Sequence, residues 1–154
     1  MSAALTGAWR LLSWSARLSG GGSGLPFGEH PRGVLVYSAD GTMCSAFMHA
    51  ERTPLETTMD ELAACRRYWQ GLQRDVPPRE GEIRNRLLQA ALRFNAYAGR
   101  YTVDGGRIHH DVEVALFPDW IGKRLTRRFR IEDGKLALSF ETRGEQDTLI
   151  WERR

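Results

Sequence analysis

Arg107-Ile108-His109-His110-Asp111-Val112-Glu113-Val114-Ala115-Leu116, followed after a short link by Arg124-Leu125-Thr126-Arg127-Arg128-Phe129-Arg130-Ile131, is the stretch from which the fold is read. In the first segment His110, Val112, Val114 and Leu116 share one face, and His109, Asp111, Glu113 and Ala115 share the other. That is the period-2 pattern of a half-buried strand. In the second, Leu125, Arg127, Phe129 and Ile131 alternate with Arg124, Thr126, Arg128 and Arg130. Two strands therefore each aim one ionisable side chain, His110 or Arg127, where apolar groups belong. Such groups are costly inside unless they meet a partner, a ligand or water.

Turn chemistry extends this face outward. Gly105-Gly106 predicts a two-residue hairpin turn joining Tyr97–Asp104 to the His110 strand, which sets Tyr101 opposite His110 and Tyr97 opposite Val114. Asp133-Gly134 sets Phe129 opposite Leu138 and Arg127 opposite Phe140. Arg143-Gly144 sets Leu138 opposite Leu149 and Leu136 opposite Trp151. One inward surface results, carrying Tyr97, Tyr101, His110, Arg127, Phe129, Phe140 and Trp151, with no internal carboxylate to pair Arg127.

Toward the amino terminus, Asp40-Gly41 predicts a two-residue turn placing Val36 across from Ser45 and Val34 across from Phe47. Leu35, Tyr37, Ala46 and Met48 form the other face; both faces are apolar, so the pattern leaves open which one lines the interior. The aromatic stretch around Trp9 and Trp14 reads as a first strand. The glycine-rich run from Ser19 to Gly24, continued by Pro26, Gly28 and Pro31, reads either as a flap over one end or as a passive loop. Strands near 7–17, 33–38, 42–49, 96–104, 107–116, 123–132, 135–142 and 145–153 make eight. Antiparallel neighbours with tight turns favour a mainly β, closed up-and-down barrel, because closure removes exposed edges. Eight strands leave room for one small ligand.

Between the third and fourth of these strands the period changes. Thr58 and Glu61 have capping-box spacing, and Leu62, Cys65, Trp69 and Leu72 recur at helical intervals. Pro77 and Pro78 end that segment, and Ile83, Leu87, Leu88, Ala91 and Phe94 mark a second helix. This amphipathic pair reads as a lid, an outer layer or a homodimer interface.

A chain of 154 residues suits one domain spanning 1–154. Its excess of 22 basic over 19 acidic residues, +3, is small, and the arginines are spread over two faces of strands and helices, which argues against nucleic acid as a partner. Two cysteines without C-x-x-C or metal spacing, no leader-like run and no membrane-length apolar run give a reduced, cytoplasmic protein as the expectation. No metal site or cofactor is expected: His109 and His110 point to opposite faces, and no glycine-rich phosphate loop opens a helix.

The segments Leu5-Thr6-Gly7-Ala8-Trp9-Arg10-Leu11, Pro31-Arg32-Gly33-Val34-Leu35-Val36-Tyr37 with Asp40-Gly41-Thr42-Met43, and Tyr97-Ala98-Gly99-Arg100-Tyr101 come in a telling order. So do His110 before Val112-Glu113, Pro118-Asp119-Trp120-Ile121-Gly122 before Arg127, and Leu149-Ile150-Trp151-Glu152-Arg153. Over nearly the whole chain the sequence resembles the small lipocalin-like domain family of the calycin group. The resemblance implies a compact barrel with an internal cavity and does not imply one reaction. The long helical pair between residues 58 and 94 departs from the family's usual connection.

Two functions follow. The first is binding of a small hydrophobic molecule carrying an anionic or hydrogen-bonding oxygen, held by Tyr97, Tyr101, Phe129, Phe140, Trp151 and Trp9. The second is a cofactor-independent isomerase, cyclase or lyase acting on a conjugated or polyketide-like metabolite. There His110 is the acid/base, Arg127 stabilises oxygen charge and Tyr101 fixes the pose. His110 is equally readable as a structural histidine donating to Tyr101 or to a backbone carbonyl, and the sequence does not decide between binding and turnover. Ser45 lacks the His and Asp/Glu spacing of a hydrolase nucleophile.

Overall fold

The computed structural model describes residues 2–154, with side chains from Ala4 onward. The chain divides into two compact units, one made of Met1–Ala50 with Phe94–Arg154 and the other of Glu51–Arg93.

The first unit is the barrel. After a short helix α1 (Ser2–Leu5) come β1 (Gly7–Arg17), β2 (Ser23–Gly24), β3 (Arg32–Tyr37), β4 (Thr42–Met48), β5 (Phe94–Asp104), β6 (Arg107–Ala115), β7 (Arg124–Glu132), β8 (Lys135–Thr142) and β9 (Glu145–Arg153). From β3 onward each strand is antiparallel to the next, β3 pairs with β1, and β9 returns to β1, closing the wall. Eight strands build that wall. The two-residue β2 is an addition, folding the glycine-rich loop back onto the far end of β1 at Ala16 and Arg17. It moves the helical segment to a place between β4 and β5, instead of between a third and a fourth strand.

Three late turns have the expected register. Tyr101 pairs with His110, Phe129 with Leu138, Leu138 with Leu149 and Leu136 with Trp151. Asp133 and Arg143 take left-handed φ values of 49° and 55° before their glycines, the geometry of a tight two-residue turn.

Two registers differ from expectation, each by one residue. At the first hairpin Tyr37 pairs with Met43 and Leu35 with Ser45, so the loop is three residues long. The amide of Gly41 bonds the Ser38 carbonyl, the Asp40 carboxylate accepts from the Ser38 hydroxyl and the Thr42 amide, and Gly41 sits at φ 85°. The shift puts Leu35, Tyr37, Met43, Ser45 and Phe47 inside and leaves Val34 and Val36 on the outer face. At the top of β6 the partner of Tyr97 is Ala115, not Val114, because a bulge between Ala98 and Gly99 inserts an extra residue. Beyond the bulge the side chains swap faces: Ala115 packs on the core, Val114 is 61% exposed, and Leu116 leaves the inner face with it.

One end of the barrel is sealed by its own termini. Trp9 is fully buried, and its indole N–H donates to the Leu5 carbonyl at 2.8 Å. The Arg153 guanidinium lies 4.4 Å over the Trp9 ring and donates to the Thr6 carbonyl at 2.8 Å. At the other end Phe27, from the loop between β2 and β3, stacks on Trp14 at 4.8 Å and meets Phe47 edge-on at 5.4 Å.

In the second unit, α2 (Met59–Trp69) starts at a capping box formed by Thr58 and Glu61, as its spacing predicts. It ends at Trp69, so Leu72 lies past the helix and is exposed. The second helix, α3 (Glu80–Leu92), stops before Phe94, which begins β5. Glu80 joins the two helices within this unit, accepting from the Trp69 indole at 2.6 Å and from Arg84 at 3.1 Å.

Candidate functional site

Alternation along β6 buries Ile108, His110 and Val112, and His110 is 0% exposed. Its two ring nitrogens meet two phenols: the Tyr37 hydroxyl lies 2.7 Å from Nε2 and the Tyr97 hydroxyl 3.0 Å from Nδ1. A neutral imidazole offers one donor and one acceptor, and this pair of hydroxyls satisfies both. Burial, reinforced by the positive charge of Arg127, pushes the His110 pKa down to about 3. The ring is therefore uncharged at neutral pH.

Burial also raises the phenol of Tyr37, with Tyr97 adding to the effect and Arg127 opposing it. Tyr97 is raised as well, again by burial first, while the positive charge of Arg127 and the nearby Ser45 hydroxyl hold it back. Ser45 is 2% exposed and pairs with Tyr97 across β4 and β5, which explains a hydroxyl that has no partners for nucleophilic chemistry. Tyr101, although paired with His110, gives its hydroxyl hydrogen to the Ser38 carbonyl at 3.0 Å. The expected Tyr101 bond to His110 is thus made by Tyr37 and Tyr97 instead.

Arg127 faces inward from β7. Its guanidinium lies 4.0 Å from the centre of the Phe140 ring and also donates to the Thr126 carbonyl at 3.2 Å. Among the described residues no acidic side chain forms an ion pair with it. The interior nevertheless contains a carboxylate, contrary to the sequence expectation. Asp147 is 7% exposed on β9, pairs with Phe140, and accepts the Trp14 indole N–H at 2.7 Å. The signal for it was available, because Asp147 stands two residues before Leu149 on the same alternating face.

Burial is uneven around the barrel. On the walls of β3, β4 and β6 the inward side chains are closed off, whereas Leu125, Arg127, Phe129 and Ile131 of β7 and Phe140 of β8 are only half-buried. The less buried side chains of this face therefore lie along β7 and β8. Two buried polar atoms have no hydrogen-bond partner among the described residues: Trp151 Nε1 and Asn95 Oδ1. An indole N–H in that condition costs about 1–3 kcal/mol unless an acceptor reaches it. Trp9 has a different position from the other candidates, since its indole and ring are taken up by Leu5 and Arg153 at the sealed end. Tyr37, Ser45, Asn95 and Asp147 are the polar interior residues that the sequence reading did not assign to the site.

Among the described residues no group of three His, Cys, Asp or Glu is placed to hold a metal ion, and His109 faces outward to Thr126 Oγ1 at 2.9 Å. No helix among them is long and apolar enough to cross a membrane.

A family model described as a lipocalin-like domain matches residues 6–76 and 73–154. Among curated proteins, no sequence matches this one. Similar solved structures include a lipocalin-like protein from Bacteroides uniformis, 12% identical, covering 98% of this chain and 99% of that one with a TM-score of 0.45. Another is the wild-type fluorescent protein UnaG, 12% identical, covering 100% of both chains with a TM-score of 0.42.

Proposed function

Because the chain belongs to the lipocalin-like domain family, function is to be sought inside its barrel, and we propose that it binds a small hydrophobic molecule there through an anionic or strongly hydrogen-bonding oxygen. The observation that carries this reading is the inward Arg127, stacked on Phe140, beside Tyr97, and without an acidic partner among the described residues. A guanidinium keeps its proton in any protein environment, so it calls for an oxygen acceptor. Phe129 and Phe140 supply apolar walls, Tyr97 a second polar contact, and the unpartnered Trp151 indole a further donor. Tyr101, committed to Ser38, serves the wall and not the polar head.

Binding is favoured over turnover by the state of His110. A ring whose conjugate acid forms only near pH 3 is too weak a base to draw a proton from carbon at neutral pH. It holds hydroxyls in place instead.

The test uses 2-naphthoate and its neutral analogue 2-naphthylmethanol, with binding followed through tryptophan fluorescence. Hydrogen bonds to a charged group contribute about 1.5–3 kcal/mol, so the carboxylate should bind roughly 10- to 100-fold more tightly than the alcohol. Arg127→Leu should remove most of that preference while leaving the alcohol's affinity in place. Equal affinities in the unsubstituted protein, or a preference that survives Arg127→Leu, would refute the reading.

A further inference from the structure

The first hairpin has a second apolar face, turned away from the interior. Cross-strand pairing fixes which of its outward side chains are neighbours. Arg10 of β1 stands opposite Val34 of β3, and Val34 stands opposite Ala46 of β4. Two residues further along, Arg32 of β3 stands opposite Met48 of β4, and Met48 opposite Phe94 of β5. Each row therefore begins with a guanidinium and continues as apolar surface.

The two rows border a groove of about 420 Å³, which Arg154 also lines. A space of that size suits one small ligand. Val34 is 36% exposed, so part of the apolar floor is open to water. Charge is unbalanced at one end. Arg10 is paired with Glu152, whereas among the described residues neither Arg32 nor Arg154 forms an ion pair, and no acidic side chain lines the groove. Guanidinium groups attract an oxyanion to that end, and the side chains beyond them favour hydrocarbon. The groove crosses from β1 over β3 and β4 to β5. At about 4.8 Å for each strand spacing this is about 14 Å, close to the length of an extended decyl chain.

We propose that this outer groove binds a single-chain anionic amphiphile, with its oxyanion head among Arg32, Arg154 and Arg10 and its alkyl chain across Val34, Ala46, Met48 and Phe94. The site goes beyond the interior binding reading and does not depend on it. Its selectivity follows from the placement of charge: a neutral chain of equal length gains the apolar floor and loses the head. A bilayer surface fits less well, because the apolar side chains floor a groove and the arginines stand together at one end of it.

The experiment is NMR of protein labelled with 13C-methyl methionine, titrated with decanoate and with decanol. Met48 lines the groove, while Met43 is 1% exposed in the core, so the two methyl groups report the outer and the inner location separately. Decanoate should shift the Met48 resonance saturably, at concentrations roughly 5-fold below those needed for decanol, since one exposed ion pair adds up to about 5-fold in affinity. Added salt should narrow that difference. Arg32→Glu combined with Arg154→Glu should abolish it while leaving the decanol response, and both side chains are exposed, so the fold should tolerate the change. Equal response to the two probes, a preference that survives the double substitution, or no Met48 shift with either probe overturns the proposal. So does a Met48 resonance that moves with protein concentration before any amphiphile is added, which gives the groove to a second copy of the chain. Decanoate that shifts Met43 and not Met48 has entered the barrel, overturning the groove while leaving the interior reading intact. The naphthoate test of the interior stands or falls separately.

Discussion

Replacing Gly99 by alanine should cost far more than a methyl group on a surface strand ordinarily does. Gly99 stands where β5 and β6 change register, and a Cβ built on it would lie 2.0 Å from the Asp111 carbonyl oxygen and 2.9 Å from the Glu113 amide nitrogen. Both obstacles are main chain, so no side chain can rotate out of the way. Relief requires moving β6 away from β5 by more than an ångström, at the bulge that places Ala115 inside and directly beside the strand segment carrying His110. Overpacking typically costs about 1–3 kcal/mol, and an obstruction by backbone belongs at the upper end, about 3 kcal/mol. With a urea dependence of about 2 kcal/mol per molar, the unfolding midpoint should fall by about 1.5 M. Equilibrium urea unfolding followed by tryptophan fluorescence measures this. The same displacement should broaden or shift the His110 ring resonances, because Tyr97 and His110 sit on the two strands being separated. A midpoint within about 0.3 M of the parent would show that the bulge absorbs a side chain, and the account of the β5–β6 register would be wrong.

Three further outcomes are expected. His110 has a pKa of about 3 in the fold against an ordinary 6.5, so the unfolded chain binds more protons between those values and stability falls as pH is lowered through that window. At about 1.4 kcal/mol for each pH unit, the loss from this residue reaches about 3 kcal/mol by pH 4. His110→Gln, compared at pH 7 and pH 4 by urea unfolding, should show a correspondingly smaller acid loss, and an identical loss would refute the assignment. Arg153→Ala removes the guanidinium from the Trp9 ring and from the Thr6 carbonyl and should cost about 2 kcal/mol, a fall in Tm of roughly 4–8 °C by calorimetry. Iodoacetamide should label native protein at Cys44, which is exposed, and spare Cys65, which is buried and whose thiol is pushed up by burial and by Glu80 and Glu61. Mass spectrometry of tryptic peptides distinguishes the two.

Much of the barrel was legible because turn chemistry and side-chain alternation agree over its second half. Asp133-Gly134 and Arg143-Gly144 are two-residue turns whose glycines follow left-handed residues, and from them the inward faces of β7, β8 and β9 follow by counting. The first hairpin was not legible in the same way. Asp40-Gly41 suits both a two-residue turn and the three-residue form with a left-handed glycine, and only the latter sets Tyr37 on one face with Met43, Ser45 and Phe47. With both faces of that hairpin apolar, hydrophobicity could not choose, so one of the two phenols holding His110 was missed. The bulge at Gly99 was hidden for a related reason: Val112, Val114 and Leu116 continue an unbroken alternation, and the interruption arises from the approach of two backbones. Asp147 is a different case. Alternation with Leu149 and Trp151 points it inward, where the reading expected no carboxylate, and the Trp14 indole that donates to it comes from a strand more than a hundred residues earlier.

That same partnership between β1 and β9 governs how the molecule comes into being. Residues 9–17 pair with 146–153, so the wall closes only between the first and last strands of the barrel. Pairings of such sequence separation make folding slow, since the entropy of a very long loop must be surrendered before the contacts repay it. During synthesis, the histidine and its two phenols can be assembled by strands already made, yet they stay wet until the final strand leaves the ribosome and zips onto the first. A nascent chain arrested before residue 146 should therefore display the binding residues without their insulation, as an open, sticky sheet with a free edge.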